Sequence, residues 1–173
     1  MTSLPLLAQV SVVNGIVSDD FDGDGNIDIL ICGNDYGTEV SVGRYDALNG
    51  LLLKGNGKAG FEAMSIAESG IYIPGNAKAF VKFIGRNNSY HVMASQNREK
   101  LKMFRRNSTS SLIRIGQHEH AALITFKDGR KQKIEFPYGS SFLSQSSRFL
   151  TVSSIIKKIE ISETSGKKRT VNF

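Results

Sequence analysis

The chain holds one cysteine in 173 residues, so no disulfide can form within it. Cys32 follows Ile29-Leu30-Ile31 in a strand-like run and is expected to be a small buried residue rather than a reactive thiol. Histidine is scarce as well. His118 and His120 flank Glu119 and would share one side of a strand, but zinc needs at least one more ligand, and nothing places His91 beside them. They are expected to be exposed strand residues. No apolar run is long enough to span a membrane. No basic-then-apolar start resembles a signal peptide. Met1-Thr2-Ser3-Leu4-Pro5 leads almost at once into strand-like sequence, as a piece of a longer protein would. On that reading the missing signal says nothing about location.

Catalytic signatures are lacking too. Residues 139–154 are rich in serine but contain no Gly-x-Ser-x-Gly elbow. The carboxylate pairs Asp35/Glu39 and Glu160/Glu163 have ordinary surface spacing. Gly55-Asn56-Gly57-Lys58-Ala59-Gly60 fits G-x-G-x-x-G after an apolar run. A dinucleotide site needs a helix next and an acid about twenty residues on. Phe61-Glu62-Ala63-Met64 starts no convincing helix, and no acid lies between Ser69 and Tyr90. A glycine-rich hairpin turn explains the run. The chain is expected not to be an enzyme. The alternative left open is a carbohydrate-active enzyme whose site lies partly in missing sequence.

Helical periodicity is absent over any long stretch; Glu62 to Glu68 is the best candidate, and it is short. Strand signals dominate. Val10–Val17, Ile27–Cys32, Gly50–Lys54, Ala79–Ile84, Tyr90–Ala94 and Lys100–Phe104 are short apolar or alternating runs between Gly, Asn and Asp. Leu123–Lys127 and Gln132–Phe136 flank Asp128-Gly129, a hairpin signal, and Ile155–Ser162 and Arg169–Phe173 flank Ser165-Gly166. The class is all-β.

Charge is unevenly spread. Residues 1–97 hold 6 Lys+Arg and 10 Asp+Glu, a net −4, while residues 98–173 hold 16 and 6, a net +10. This step coincides with the polar run Asn107-Ser108-Thr109-Ser110-Ser111 and suggests two modules, 1–107 and 108–173. In the second, Phe126, Ile134, Phe136, Phe142, Leu143 and Ile159 are expected inside, with the Lys/Arg pairs outside. Those basic pairs also raise the alternative of a polyanion-binding surface, acidic glycans included. Nucleic acid is not the expected partner, because the aromatics of this half sit at apolar strand positions.

The most informative segment is Asp20-Phe21-Asp22-Gly23-Asp24-Gly25-Asn26-Ile27-Asp28. Asp20, Asp22 and Asp24 suit positions 1, 3 and 5 of a calcium loop, the Asn26 carbonyl suits position 7 and Asp28 position 9. Gly25 falls at position 6, where the loop turns sharply. The match to an EF-hand ends there: position 12 is Ile31, not glutamate, and strands rather than helices flank the loop. A bare hairpin turn needs one Asp-Gly, whereas this loop crowds in three further carboxylates that repel one another without a cation.

Asp20 through Leu30 resembles the core of an FG-GAP/VCBS repeat, the calcium-loop blade of integrin-α-type propellers. Gly43 to Ala47, Leu51 to Gly57, Gly60-Phe61, Pro74 to Lys78 and Ser95 to Asn97 resemble the last propeller segments of VCBS-repeat proteins. Ile124 to Ile134, Gly139-Ser140-Ser141-Phe142-Leu143-Ser144-Gln145-Ser146, Ile159 to Ile161 and Ser165 to Lys167 are similar to the ASPIC/UnbV module. The resemblance implies an extracellular or cell-surface protein, calcium in the repeat loop, and a binding or scaffolding role toward a protein or glycan. It implies no catalytic residues. A propeller needs four to eight blades and residues 1–107 supply two at most, so the expectation is an incomplete propeller, partnered by the rest of a parent chain and followed by a small sandwich- or barrel-like β-module.

Overall fold

The computed structural model describes residues 3–107, 111–140 and 144–173. Strand is the main regular structure of the described residues, and the strands pair antiparallel in four sheets, none of which closes into a barrel. They fall into two compact units. The first comprises Met1–Phe21, Asn26–Asn107 and Gly139–Ser147, and the second Asp22–Gly25, Ser108–Tyr138 and Arg148–Phe173. No helix among the described residues is long and apolar enough to cross a membrane.

In the first unit, β1 (Val13–Asp19), β2 (Asp28–Gly33), β3 (Leu51–Gly55) and β4 (Phe61–Ala63) pair in chain order as a four-stranded meander. The run Ile29-Leu30-Ile31-Cys32 makes β2 apolar on both faces, and it is accordingly an inner strand. Its Ile31 packs with Leu51, Leu53, Leu48 and Ala8. On the opposite face Leu30 pairs with Val17, and both are buried.

The short helix candidate Glu62 to Glu68 holds the end of β4 and a single turn, α1 (Ile66–Ser69). The reason is local. Ser65 caps the turn and Glu68 reaches back to the Ser65 N–H, while Gly70 at φ +68° ends it.

A second sheet orders β5 (Ala77–Ile84), β6 (Tyr90–Gln96) and β7 (Lys102–Arg105) consecutively. Alternation along β6 buries Tyr90, Val92, Ala94 and Gln96 on one side. β5 packs on β1 and β2. Gly15 is needed there, since a Cβ would lie 2.8 Å from Cys32 Sγ and 2.8 Å from the Phe80 nitrogen. Residues 144–147 run along β5: Ser147 N–H donates to the Lys82 carbonyl, Lys82 N–H to Ser146 Oγ, and Ser144 Oγ to the Phe80 carbonyl.

The second unit contains β8 (Ser111–Arg114), β9 (Glu119–Phe126), β10 (Lys131–Glu135), β11 (Phe149–Val152), β12 (Ile156–Glu163) and β13 (Lys168–Asn172). One sheet has the order β10-β9-β12-β13, and β8 pairs with β11 in another. The core gathers Ile124, Phe126, Phe136, Leu150, Ile159 and Ile161, with Ile134 half-buried against it. The expected hairpins at Asp128-Gly129 and Ser165-Gly166 join β9 to β10 and β12 to β13, with Gly129 and Gly166 at positive φ. Strands β8 and β11 were not anticipated: Ser111 begins a strand at the end of the polar run. Ser108, Thr109 and Ser110 of the expected boundary, and Phe142 and Leu143 of the expected core, lie outside the described residues.

Candidate metal centre

Asp19, the last residue of β1, sits opposite Asp28, the first of β2, so the acidic loop is the connection between two paired strands. Its entry is fixed by a half-buried ion pair. Asp19 accepts from Lys82 Nζ at 2.7 Å and from Tyr90 Oη at 3.0 Å, and also from the Asp20 N–H at 2.9 Å. Phe21 meets the Tyr90 ring edge-on at 5.9 Å between centroids. Burial, then the Asp19 charge, pushes the Tyr90 hydroxyl well above its ordinary range. Asp19 was not among the sequence-based candidates. Its signal is position alone: a fifth acid directly before the loop, in a chain with no Lys or Arg before Arg44.

Asp28 closes the loop. It is 2% exposed, and its two oxygens accept the N–H groups of Phe21 at 3.0 Å and of Gly55, at the end of β3, at 2.9 Å. The Asp24 N–H donates to Asp22 Oδ1 at 3.1 Å, a local side-chain turn. Gly23 at φ +88° and Gly25 at φ +83° supply left-handed positions that side chains resist. Gly25 is also sterically required, because a Cβ would lie 2.6 Å from Ile155 Cδ1 and 3.0 Å from Phe126 Cε1.

This folding brings one oxygen each of Asp20, Asp22 and Asp28 within 4.8 Å of one another, half-buried, exposed and buried respectively. Of the five expected ligands, Asp20, Asp22, Asp24, Asn26 and Asp28, the structure gathers these three. Asp24 is not in the group. The Asn26 side chain is turned toward Gly57, its Oδ1 so close that a Cβ there would approach within 2.5 Å. The donor set is all oxygen, which suits a hard cation and not zinc or copper. Each pair of charges at this spacing repels by at least about 1 kcal/mol at the dielectric constant of water and about 3.5 kcal/mol at 20.

The remaining sequence candidates resolve differently. Gly55 to Gly60 forms the β3–β4 turn, with Asn56 Oδ1 accepting from the Lys58 and Gly60 N–H groups at 2.8 and 3.0 Å. His118 precedes β9 and His120 lies in it; both are exposed. Glu119 between them is buried and paired with Arg169, Nε to Oε1 at 2.8 Å. Compared with models of known protein families the chain matches none, and comparison with curated proteins likewise gives no match.

Proposed function

We propose that the chain is a non-catalytic binding or scaffold module whose β1–β2 loop takes a structural calcium ion. The convergence of Asp20, Asp22 and Asp28 carries this reading. They would hold the ion, with Asp24 and the Asn26 carbonyl completing the set read from the sequence. Bound calcium would neutralise the crowded carboxylates and so favour the closed loop. Support for a propeller-type segment comes from the consecutive antiparallel order of β1 to β4 and of β5 to β7, the arrangement of strands in a blade. The proposal extends to an extracellular or cell-surface setting, where calcium is millimolar, and to a protein or glycan ligand beside further blades of a parent chain.

The test is thermal melting in about 10 mM calcium and in chelator. Extracellular calcium modules bind with Kd on the order of 10⁻⁴–10⁻³ M. That affinity predicts roughly 1.4–2.7 kcal/mol of stabilisation, or about 3–10 °C in Tm. Asp22→Ala, at the exposed ligand, is expected to abolish the increase. Identical melts in calcium and chelator would sink the metal reading. Turnover of a glycoside or ester by the pure chain, lost on one point substitution, would sink the non-catalytic one.

A further inference from the structure

The four-stranded sheet of the second unit packs one face on its core and leaves the other open. Register places Lys131, Thr125, Lys158 and Asn172 side by side in one row, adjacent to the row of buried Ile124 and Ile159 and so on the opposite face. Two further rows bring Lys133 and Lys168 to the same face. Strand spacing puts Lys131 about 10 Å from Lys158, and Lys133 about 7 Å along β10 from Lys131. Lys133 pairs with Glu135 at 2.6 Å and Lys158 with Glu160 at 3.1 Å. Exposed pairs of this kind are weak and yield to a competing anion. Among the described residues no ion pair involves Lys131 or Lys168, and both are exposed. Residues 108–173 as a whole hold eleven Lys and Arg against five Asp and Glu.

We propose that this open face binds a linear acidic polysaccharide. Charge calls for a polyanion, and the chemistry of the face selects among polyanions. Its register rows contain no aromatic side chain on which a base could stack and no arginine to read a base edge or phosphate with two bonds. What they offer are separated ammonium point charges, two of them beside Glu135 and Glu160, with Thr125, Thr170 and Asn172 as neutral partners for sugar hydroxyls. The inference supplies a ligand class for the binding module and does not use the acidic loop, so each reading can fail without the other.

The experiment titrates the full chain, in chelator, with a heparin-type sulfated polysaccharide, with neutral dextran and with a single-stranded oligonucleotide, at about 50 and 200 mM salt. The expected result is binding of the sulfated chain alone, weakening with salt. The triple variant Lys131→Gln, Lys158→Gln, Lys168→Gln is expected to weaken binding by about tenfold or more and to lower the salt slope by about one for each lysine removed. A control triple, Lys58→Gln, Lys100→Gln, Arg105→Gln, removes the same charge from the first unit and is expected to change affinity less than about threefold. Lys168→Glu alone, on an exposed edge strand, checks that loss of binding is not loss of fold. Equal weakening by both triples would reduce the effect to net charge and overturn the proposal. So would tighter binding of the oligonucleotide, or no binding of the sulfated chain at low salt.

Discussion

The β1–β2 loop and the strands β9 to β13 treat their carboxylates in different ways. In the second, Asp128 meets Arg130, Glu135 meets Lys133, Glu160 meets Lys158 and Glu119 meets Arg169. Three of these pairs join residues two apart, neighbours in a tight turn or on one face of a strand. A basic sequence thus neutralises its acids almost where they stand. The loop from Asp20 to Asp28 brings oxygens of Asp20, Asp22 and Asp28 together, and Asp28 also accepts backbone N–H groups. No Lys or Arg occurs in the first 43 residues, and the lysine that meets Asp19, Lys82, lies far along the chain. Both regions contain Asp-Gly turns. The difference lies in how far along the chain the cation is found: two residues away in three of those pairs, and 63 residues away for Asp19.

The hardest blow to this comparison falls at Asp28. Asp28→Ala strands the N–H groups of Phe21 and Gly55 and is expected to cost about 2–4 kcal/mol, or roughly 5–15 °C in Tm, in chelator as well as in calcium. If it melts like the parent in chelator, the loop is not held by its backbone bonds and the contrast is misdrawn. A smaller effect is expected at Glu119, whose carboxyl is held below its ordinary range first by the Arg169 hydrogen bonds and then by the Gly116 N–H. A carboxyl depressed in the folded state stabilises fully above its unfolded value, near 4.3, and loses that contribution as pH falls through the folded one. Melting between pH 3 and 6 should therefore fall less steeply for Glu119→Gln, which should itself cost about 1–3 kcal/mol at pH 7. Parallel profiles for parent and variant would show that this pair is not an acid-sensitive tie. The smallest effect belongs to Asp128→Asn, in a fully exposed pair within a hairpin that tolerates asparagine; its Tm should stay within about 2 °C of the parent. A larger loss would make the neutralised turn no more secure than the crowded loop.

Most strands were legible because their sequences alternate or run apolar between glycine and asparagine punctuation, as at Ile29 to Cys32 and along β6. The misses have local causes. Ser65 and Glu68 make a capping box over one turn, so the helical signal was real but only four residues long. Strand β8 opens on Ser111, and a serine in a polar run carries no strand signal. At the loop, spacing singled out Asp20, Asp22 and Asp28, whose oxygens the fold gathers within 4.8 Å, while the turn of the Asn26 side chain toward Gly57 has no sequence signal. The buried partners of Asp19 were out of reach for the same reason: Lys82 and Tyr90 lie more than sixty residues away in sequence.

Cys32 lies four residues beyond Asp28 on the same strand, fully buried, its sulfur close beneath Gly15. Burial pushes its thiol up to about 12, so at neutral pH it is protonated as well as enclosed. An alkylating reagent can reach it only when the packing around β2 opens, and the labelling rate then times that opening. With no second cysteine to react, the chain carries a built-in clock on the strand that its acidic loop anchors.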